Sequence, residues 1–300
     1  MPQPNTQIRQ GVLYALSAYG LWGIAPIYFK QLGAIDAFEI LSHRVIWSCV
    51  FIAILLFITK GWGQVHRVLQ NPRQLLVLFL TSLLIGANWL TYIWAINNDH
   101  LLEASLGYFI NPLVNVVVGM IFLQERFRRL QWFAVILAAL GVAVEIIKFG
   151  SLPWIAITLA FTFSFYGLLR KQLKLGALSG LCIETTVLLP IALIYLTGFD
   201  HSTSRNLLNN PLPLDLLLIS AGIVTTVPLL FFAGAATRLR LSTLGFFQYI
   251  APTLMFLLAV IGYSEPFSID KLITFGFIWV ALVIFVIDAT LERRRRIGAP

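Results

Sequence analysis

Charge is what this chain has least of. Asp, Glu, Lys and Arg make up 11% of its 300 residues, hydrophobic residues make up 59%, and the mean hydropathy is +0.86. That balance excludes an ordinary soluble domain and points to a membrane protein. Acidic residues are scarcer than basic ones, 13 against 21, which leaves a formal net charge of +8. The surplus lies in short clusters between apolar runs, not in a basic domain, so no nucleic-acid partner is expected. Cysteine is limited to Cys49 and Cys182, both inside apolar runs and without CxxC spacing. This excludes a disulfide framework and leaves reduced, packed thiols. The four histidines are scattered, HExxH, GxSxG and Walker A patterns are missing, and "GWGQVH" (61–66) has two glycines without the rest of a nucleotide fingerprint. Neither a metal, a cofactor, a catalytic nucleophile nor direct use of ATP is therefore expected. Alternating strands of ~10 residues are missing too, which leaves helices as the way to satisfy the backbone inside a bilayer.

Apolar runs are what the sequence has in abundance. A window of ~19 residues places spans at approximately 8–29, 39–59, 74–96, 102–123, 131–148, 152–170, 178–197, 213–236, 241–263 and 269–290, ten in all. The spans 131–148 and 152–170 are short, with a tight loop around Gly150 and Pro153 between them. The N-terminal MPQPNTQIRQ leads straight into a run too long for a signal-peptide core and is read as the retained first span. Between the spans the basic residues sort by side. Arg9, Lys60, Arg67, Arg73, Arg126, Arg128, Arg129, Arg170, Lys171, Lys174, Arg238, Arg240 and Arg293 to Arg296 fall on one side, sixteen in number, against Lys30, Lys148, Arg205 and Lys271 on the other. By the positive-inside rule both termini are cytoplasmic, and 291–300 is a basic cytoplasmic tail that can touch anionic lipid.

The chain also resembles itself. At an offset of 140 residues, "YFINPLVNVVVGMIFLQERF" (108–127) meets "QYIAPTLMFLLAVIGYSEPF" (248–267), aligning Ile110 with Ile250, Pro112 with Pro252, Glu125 with Glu265 and Phe127 with Phe267. The same offset brings Ala95 onto Ala235 and Arg44 onto Glu184. The halves, 8–148 and 152–290, each hold five spans, and a unit with an odd number of crossings is followed by a copy of opposite orientation. The expected fold is therefore all-α and polytopic, ten transmembrane helices in two inverted five-helix repeats, the architecture of many secondary transporters.

Duplicated five-helix units, the Pro-to-Glu spacing in the fourth helix of each half, and "YGLWGIAPIYFK" with "LSHRVIW" near the start resemble the RarD subgroup of the EamA group of the drug/metabolite transporter superfamily. The resemblance covers nearly the whole chain. It implies a ten-helix permease of the cell inner membrane with a central cavity formed by equivalent helices of the two halves. One departure is Ala251 where the first half has Asn111, so the halves cannot offer identical polar groups.

Polar residues within the spans are the candidate site, because buried polarity is costly in a membrane. The fourth span carries Ser105, Tyr108, Pro112, Asn115 and Gly119 at helical spacing with Asn111 beside them, and the ninth carries Gly245, Gln248, Pro252, Met255 and Ala259. Pro112 and Pro252 each release a carbonyl in mid-span, which suits gating helices and equally a packing seam with two tolerated kinks. The third span offers Thr81, Ile85, Asn88, Tyr92 and Ala95 on one face, with Trp89 and Trp94 near it. Rings for stacking and amides for orientation suit a small amphipathic or aromatic molecule. Tyr14, Tyr19 and Trp22 of the first span are cavity walls or ordinary core.

Two ionisable groups stand out. Asp36 with Glu39 three residues on reads as an N-cap, starting the second helix at about residue 37 and leaving Arg44 ~10 Å along its axis. Arg44 either snorkels to the headgroups or meets an anion, Glu103, Glu145 or a substrate carboxylate. His43, in the row Glu39, His43, Trp47, is a substrate contact or a structural histidine. Glu184, the inverted counterpart of Arg44, either pairs with Lys171 or Lys174 or carries a coupled proton.

Two functions fit. One is a permease or exporter of small metabolites, amino acids, aromatic compounds or drugs, working by alternating access. The other is an intramembrane enzyme or sensor acting on lipid or peptide, which would need an acid–base pair at equal depth that the sequence does not clearly supply. Small-molecule substrate and lipid are the expected partners, and a homodimer is neither required nor excluded.

Overall fold

The computed structural model describes residues 4–32, 35–98, 100–150, 153–198, 210–258, 261 and 269–297. Among the described residues the chain is helical and holds no strand: α1 (Pro4–Phe29), α2 (Ala37–Ile58), α3 (Trp62–Leu69), α4 (Pro72–Asn97), α5 (Leu101–Leu123), α6 (Arg129–Phe149), α7 (Trp154–Leu173), α8 (Ala177–Gly198), α9 (Leu212–Ala236), α10 (Leu241–Gln248), α11 (Ile250–Leu257) and α12 (Ile269–Ile297). Local chemistry sets several ends. Asp36 caps α2 by accepting from the Phe38 amide at 2.9 Å, as its spacing predicts. Asn71 caps α4 through the Gln74 amide while Pro72 takes the first turn, where no amide donor is needed. Gly150 closes α6 in the left-handed conformation at φ 72°.

Seven of these helices are long and apolar enough to cross a membrane, and Leu241–Leu257 and Leu272–Asp288 are shorter apolar helical stretches. Large apolar side chains point outward along the bundle, among them Phe57 and Ile147, each 78% exposed. Such a surface is expected where the solvent is lipid.

Three local expectations are corrected. The spans expected at 131–148 and 152–170 are α6 of 21 residues and α7 of 20: α6 starts two residues earlier, at Arg129, and α7 runs on through Lys171 and Gln172 to Leu173. The span at 241–263 is broken: α10 stops at Gln248 and α11 resumes at Ile250, two residues before the Pro252 ring that cannot donate to the preceding turn. Helix α3 was not expected at all. It is a single amphipathic stretch with Val65 and Val68 buried and Trp62 and Leu69 exposed, and Ser179 of α8 donates to its Gln64 at 2.9 Å. Glu265, Phe267 and Arg205 lie outside the described residues, as do the side chains of Arg293 to Arg296.

The packing has a pattern. α1 packs on α9 and α11, α2 on α8 and α9, α4 on α7 and α8, α5 on α7 and α10, and α6 on α12. Exchange α1 with α7, α2 with α8, α4 with α9 and α5 with α10–α11, and these contacts map onto one another. The self-paired helices run antiparallel. Glu125 at the end of α5 meets Leu241 at the start of α10, while Tyr249 at the end of α10 meets Phe109 near the start of α5. Likewise Asp36 before α2 accepts from the Tyr195 hydroxyl near the end of α8 at 3.0 Å. Arg128 before α6 pairs with Asp288 far along α12 at 2.5 Å.

Candidate functional site

Between α1, α2, α4, α5, α7, α10 and α11 lies a cavity of about 100 Å³. Its walls are mostly aromatic: Tyr19, Trp22 and Phe29 of α1, Trp89 and Tyr92 of α4, Tyr108 of α5 and Phe163 of α7. Polarity is confined to Arg44 and the amides Asn88, Asn111 and Gln248, apart from the tyrosine hydroxyls and the indole N–H groups of Trp22 and Trp89. The lining extends from Tyr19 in the middle of α1 to Phe29 at its end, and includes Arg44 and Ala104 near the starts of α2 and α5. The cavity therefore occupies the half of the bundle nearer those helix ends.

Arg44 is the one charged residue among the described lining. It is 8% exposed and turns inward, so of the two alternatives for it the structure does not take the snorkelling one. Its Nε donates to Thr225 Oγ1 of α9 at 2.9 Å, and its guanidinium carbon lies 5.0 Å from the Trp89 ring centre and 5.2 Å from that of Phe29. Two ring faces and a neutral hydroxyl hold the cation in place. No described carboxylate pairs with it, and the side chains of Glu103 and Glu145 lie outside the described residues.

An amide chain closes the cavity floor. Asn115, one turn below, donates to Asn111 Oδ1 at 2.9 Å and to Gln248 Oε1 at 3.1 Å, tying α5 to α10. Asn111 donates to the Ala160 carbonyl at 3.0 Å, and Asn88 to Leu159 and Thr162 of α7, both at 2.9 Å. Each amide that reaches the cavity is thus oriented by a neighbour behind it. Helix α10 can approach α5 this closely because residue 245 is glycine: a Cβ there would stand 2.9 Å from Asn115 Cβ and 3.0 Å from the Pro112 carbonyl. Among the walls, Trp22 packs edge-on against Phe163 at 5.7 Å, and Phe163 meets Phe232 behind it at 4.9 Å.

At the opposite end of the bundle the equivalent space is filled. Glu184 is 1% exposed; it accepts from Thr81 at 2.6 Å and Tyr166 at 3.3 Å and lies 3.7 Å from Arg170. The expected partners Lys171 and Lys174 are not the ones it takes. Lys171 donates to the carbonyls of Ala236 and Leu239, and Arg170, read from sequence as a surface topology residue, is 2% exposed. Phe232 and Leu244, counterparts of Tyr92 and Ala104 at the 140-residue offset, are fully packed. Glu125 seals that end. Its carboxylate accepts from the Leu241 amide at 2.7 Å, the Ser242 amide at 3.1 Å and the Ser242 hydroxyl, capping α10, with Arg240 at 3.9 Å.

Of the residues singled out in the sequence, Trp22, Arg44, Asn88, Tyr92, Tyr108, Asn111 and Gln248 meet at the cavity. Asn115 stands behind it. His43 is buried in α2 but does not line the cavity, and neither Pro112 nor Pro252 does. α5 runs unbroken through Pro112, so of the two expected kinks only the second half shows an interruption. Sequence reasoning missed Phe29, Phe163 and Pro26; the aromatic run "FTFSFY" (161–166), at the repeat position of the first helix, was the available signal for Phe163.

The sequence profile of the EamA-like transporter family matches residues 9–146. Protein RarD of Salmonella typhimurium is 60% identical over 290 residues, covering 97% of this chain and 99% of that protein. An uncharacterized transporter of Vibrio cholerae is 57% identical over 288 residues, covering 96% and 95%. The chloramphenicol-sensitive protein RarD of Pseudomonas aeruginosa is 32% identical, covering 96% and 97%. A solved structure described only as the crystal structure of a protein superposes with a TM-score of 0.67 at 20% identity, covering 91% of this chain and 96% of its own, which speaks to the fold alone. With identity at this level over nearly its full length, the chain belongs to the RarD subgroup of the EamA family of drug/metabolite transporters.

Proposed function

We propose that the protein is a secondary transporter of small metabolites that works by alternating access, with ten spans in two inverted repeats (8–148 and 152–290), both termini cytoplasmic, in the bacterial inner membrane. The observation that carries this reading is the contrast between two equivalent places. The space around Arg44 is a cavity lined by both halves, and the space around its counterpart Glu184 is packed shut. Exchanging the conformations of the halves would close the first and open the second, which is what an inverted repeat permits. The reciprocal packing and the antiparallel equivalent helices support the repeat.

Arg44, Asn88, Tyr92, Tyr108, Asn111, Gln248 and Trp22 are the proposed substrate contacts, with Asn115 and His43 supporting them from behind. The interruption before Pro252 is the proposed hinge, and Pro112 the rigid element against which it moves. Glu184 is the proposed proton site. It faces Thr81 of α4 and Tyr166 and Arg170 of α7, and protonation would cancel its attraction to Arg170 and loosen the sealed end.

The test is flux of labelled small metabolites in proteoliposomes, with and without a proton gradient. Saturable flux that Glu184→Gln uncouples from the gradient is expected. Flux that ignores the gradient and is unchanged in Glu184→Gln removes the proton role. Absence of flux across a broad panel, from folded protein, removes transport. Orientation is checked separately: a cysteine replacing Asn98, in a background without Cys49 and Cys182, should react with an impermeant maleimide from outside the cell, and one replacing Arg240 only after permeabilisation.

A further inference from the structure

Arg44 combines three properties. It is buried, it lines the cavity, and the nitrogens at the tip of its guanidinium make no hydrogen bond to a described residue, the Nε alone being engaged, by Thr225. Withdrawing a cation from water is costly, and a neutral hydroxyl with two ring faces offsets only part of that cost. The same contacts hold the side chain still and leave its planar fork presented to the cavity, the geometry that receives a carboxylate through two parallel hydrogen bonds.

The rest of the lining narrows the charge of the ligand. No carboxylate lines the cavity among the described residues, so an ammonium group has no ionic partner there. The side-chain oxygens of Asn111 and Gln248 each already accept from Asn115, and the neutral oxygens left, Asn88 Oδ1 and the tyrosine hydroxyls, do not compensate a second full positive charge beside Arg44. A dianion fares no better, since one arginine leaves its second charge uncompensated in an apolar enclosure. Around the fork stand ring surfaces: Phe29 and Trp89 beside it, Tyr92 against Tyr108 at 5.8 Å, and Trp22 with Phe163 further in. These suit an apolar body of one or two rings.

We propose that the cavity selects monoanionic carboxylates with an apolar body, in preference to zwitterions, amines, neutral amides and phosphate monoesters, and that Arg44 holds the carboxylate. This rests on the transporter reading for the direction of travel but not for recognition, which is a property of the cavity itself.

Binding of labelled 3-phenylpropionate, indole-3-acetate and octanoate to the full-length protein in lipid nanodiscs, by equilibrium dialysis at pH 7.4, tests it. The competitors are the matched amide and amine of each acid, together with phenylalanine and 3-phenylpropyl phosphate. At least one acid should bind saturably and be displaced by its own unlabelled form about tenfold better than by its amide, a difference of the size of one charge-assisted pair. Amine, zwitterion and phosphate should compete no better than the amide. Arg44→Gln should erase the preference for acid over amide, and Arg44→Lys should restore part of it. Because the acid-to-amide comparison is made on the unaltered protein, it stands even if the variants fold poorly. Equal binding of acid and amide, tighter binding of the amine or zwitterion, or no saturable binding by any of the three acids overturns the proposal. Flux of the bound acid in proteoliposomes separates the two readings. Binding without flux leaves anion recognition standing and removes transport; flux of amines or amides with acids excluded does the reverse.

Discussion

Tyr249 and Phe109 are 140 residues apart, occupy the same position in the two halves, and touch: the Tyr249 hydroxyl donates to the Phe109 carbonyl at 3.2 Å. In the inverted repeat proposed above, equivalent residues meet only near the axis that would relate them. Tyr249 also marks the interruption between α10 and α11. Tyr249→Phe removes the bond while keeping the ring. It should cost about 1 kcal/mol, the net worth of one buried hydrogen bond, read as a lower midpoint of unfolding in mild detergent.

The crossing of α2 and α9 depends on Gly222. A Cβ at that position would collide with the backbone of Trp47 and Ser48, and backbone cannot rotate away. Gly222→Ala should therefore be among the most damaging single changes, costing at least the ~1–3 kcal/mol of overpacking. Gly20→Ala, where nothing lies within 4 Å, should be neutral. Thermal stability of the two variants, side by side, checks both.

Arg170 and Glu184 form the buried ion pair of the sealed end, and Arg170 lies across Gly180, where an added Cβ would overlap the guanidinium. Arg170→Met alone leaves a buried carboxylate and should cost about 3–5 kcal/mol, whereas Arg170→Met with Glu184→Met should recover much of the loss. Gly180→Ala should resemble Arg170→Met by displacing its side chain. A double-mutant cycle on unfolding midpoints measures the coupling. If the double variant is no more stable than the singles, the pair is not what holds that end.

Glu125 caps α10 across the interface between halves. Glu125→Gln keeps the shape but loses the charge that complements a helix N-terminus, a loss of about 1–2 kcal/mol. On the alternating-access reading proposed above, the contact belongs to the sealed state, and the loss should fall there. The measurement is maleimide labelling of a cysteine replacing Ser242 in a background without Cys49 and Cys182, which should accelerate several-fold in Glu125→Gln. An unchanged rate argues that other contacts hold the seal.

Much of this was legible in the sequence, for identifiable reasons. A helix that crosses a membrane must be mostly apolar, so hydropathy located the seven helices long and apolar enough to do so without knowledge of tertiary contacts. Cavity residues were findable because polarity is rare in such a chain, and Arg44, Asn88, Asn111 and Gln248 stand out against it. Aromatic lining was harder, since Phe163 has the composition of its lipid-facing neighbour Phe161, and only the packing distinguishes them. The pairing of Glu184 with Arg170 was missed because the basic cluster at 170–174 was read as a single topology signal. In fact Arg170 turns into the bundle, Lys171 caps carbonyls of α9 and the residues beyond it, and Lys174 ends its own helix. Helix α3 was missed because its period shows over eight residues only, too few for a hydropathy window.

The contact at Gly222 has a mechanical consequence. Where backbone meets backbone there is no side chain to change rotamer and let one helix slide, so α2 and α9 form a single lever at that crossing. Arg44 rides on one arm and Thr225, which grips it, on the other. In the alternating-access cycle proposed above, that lever would carry the guanidinium along undisturbed, and the motion would be taken up at the joint beside Tyr249.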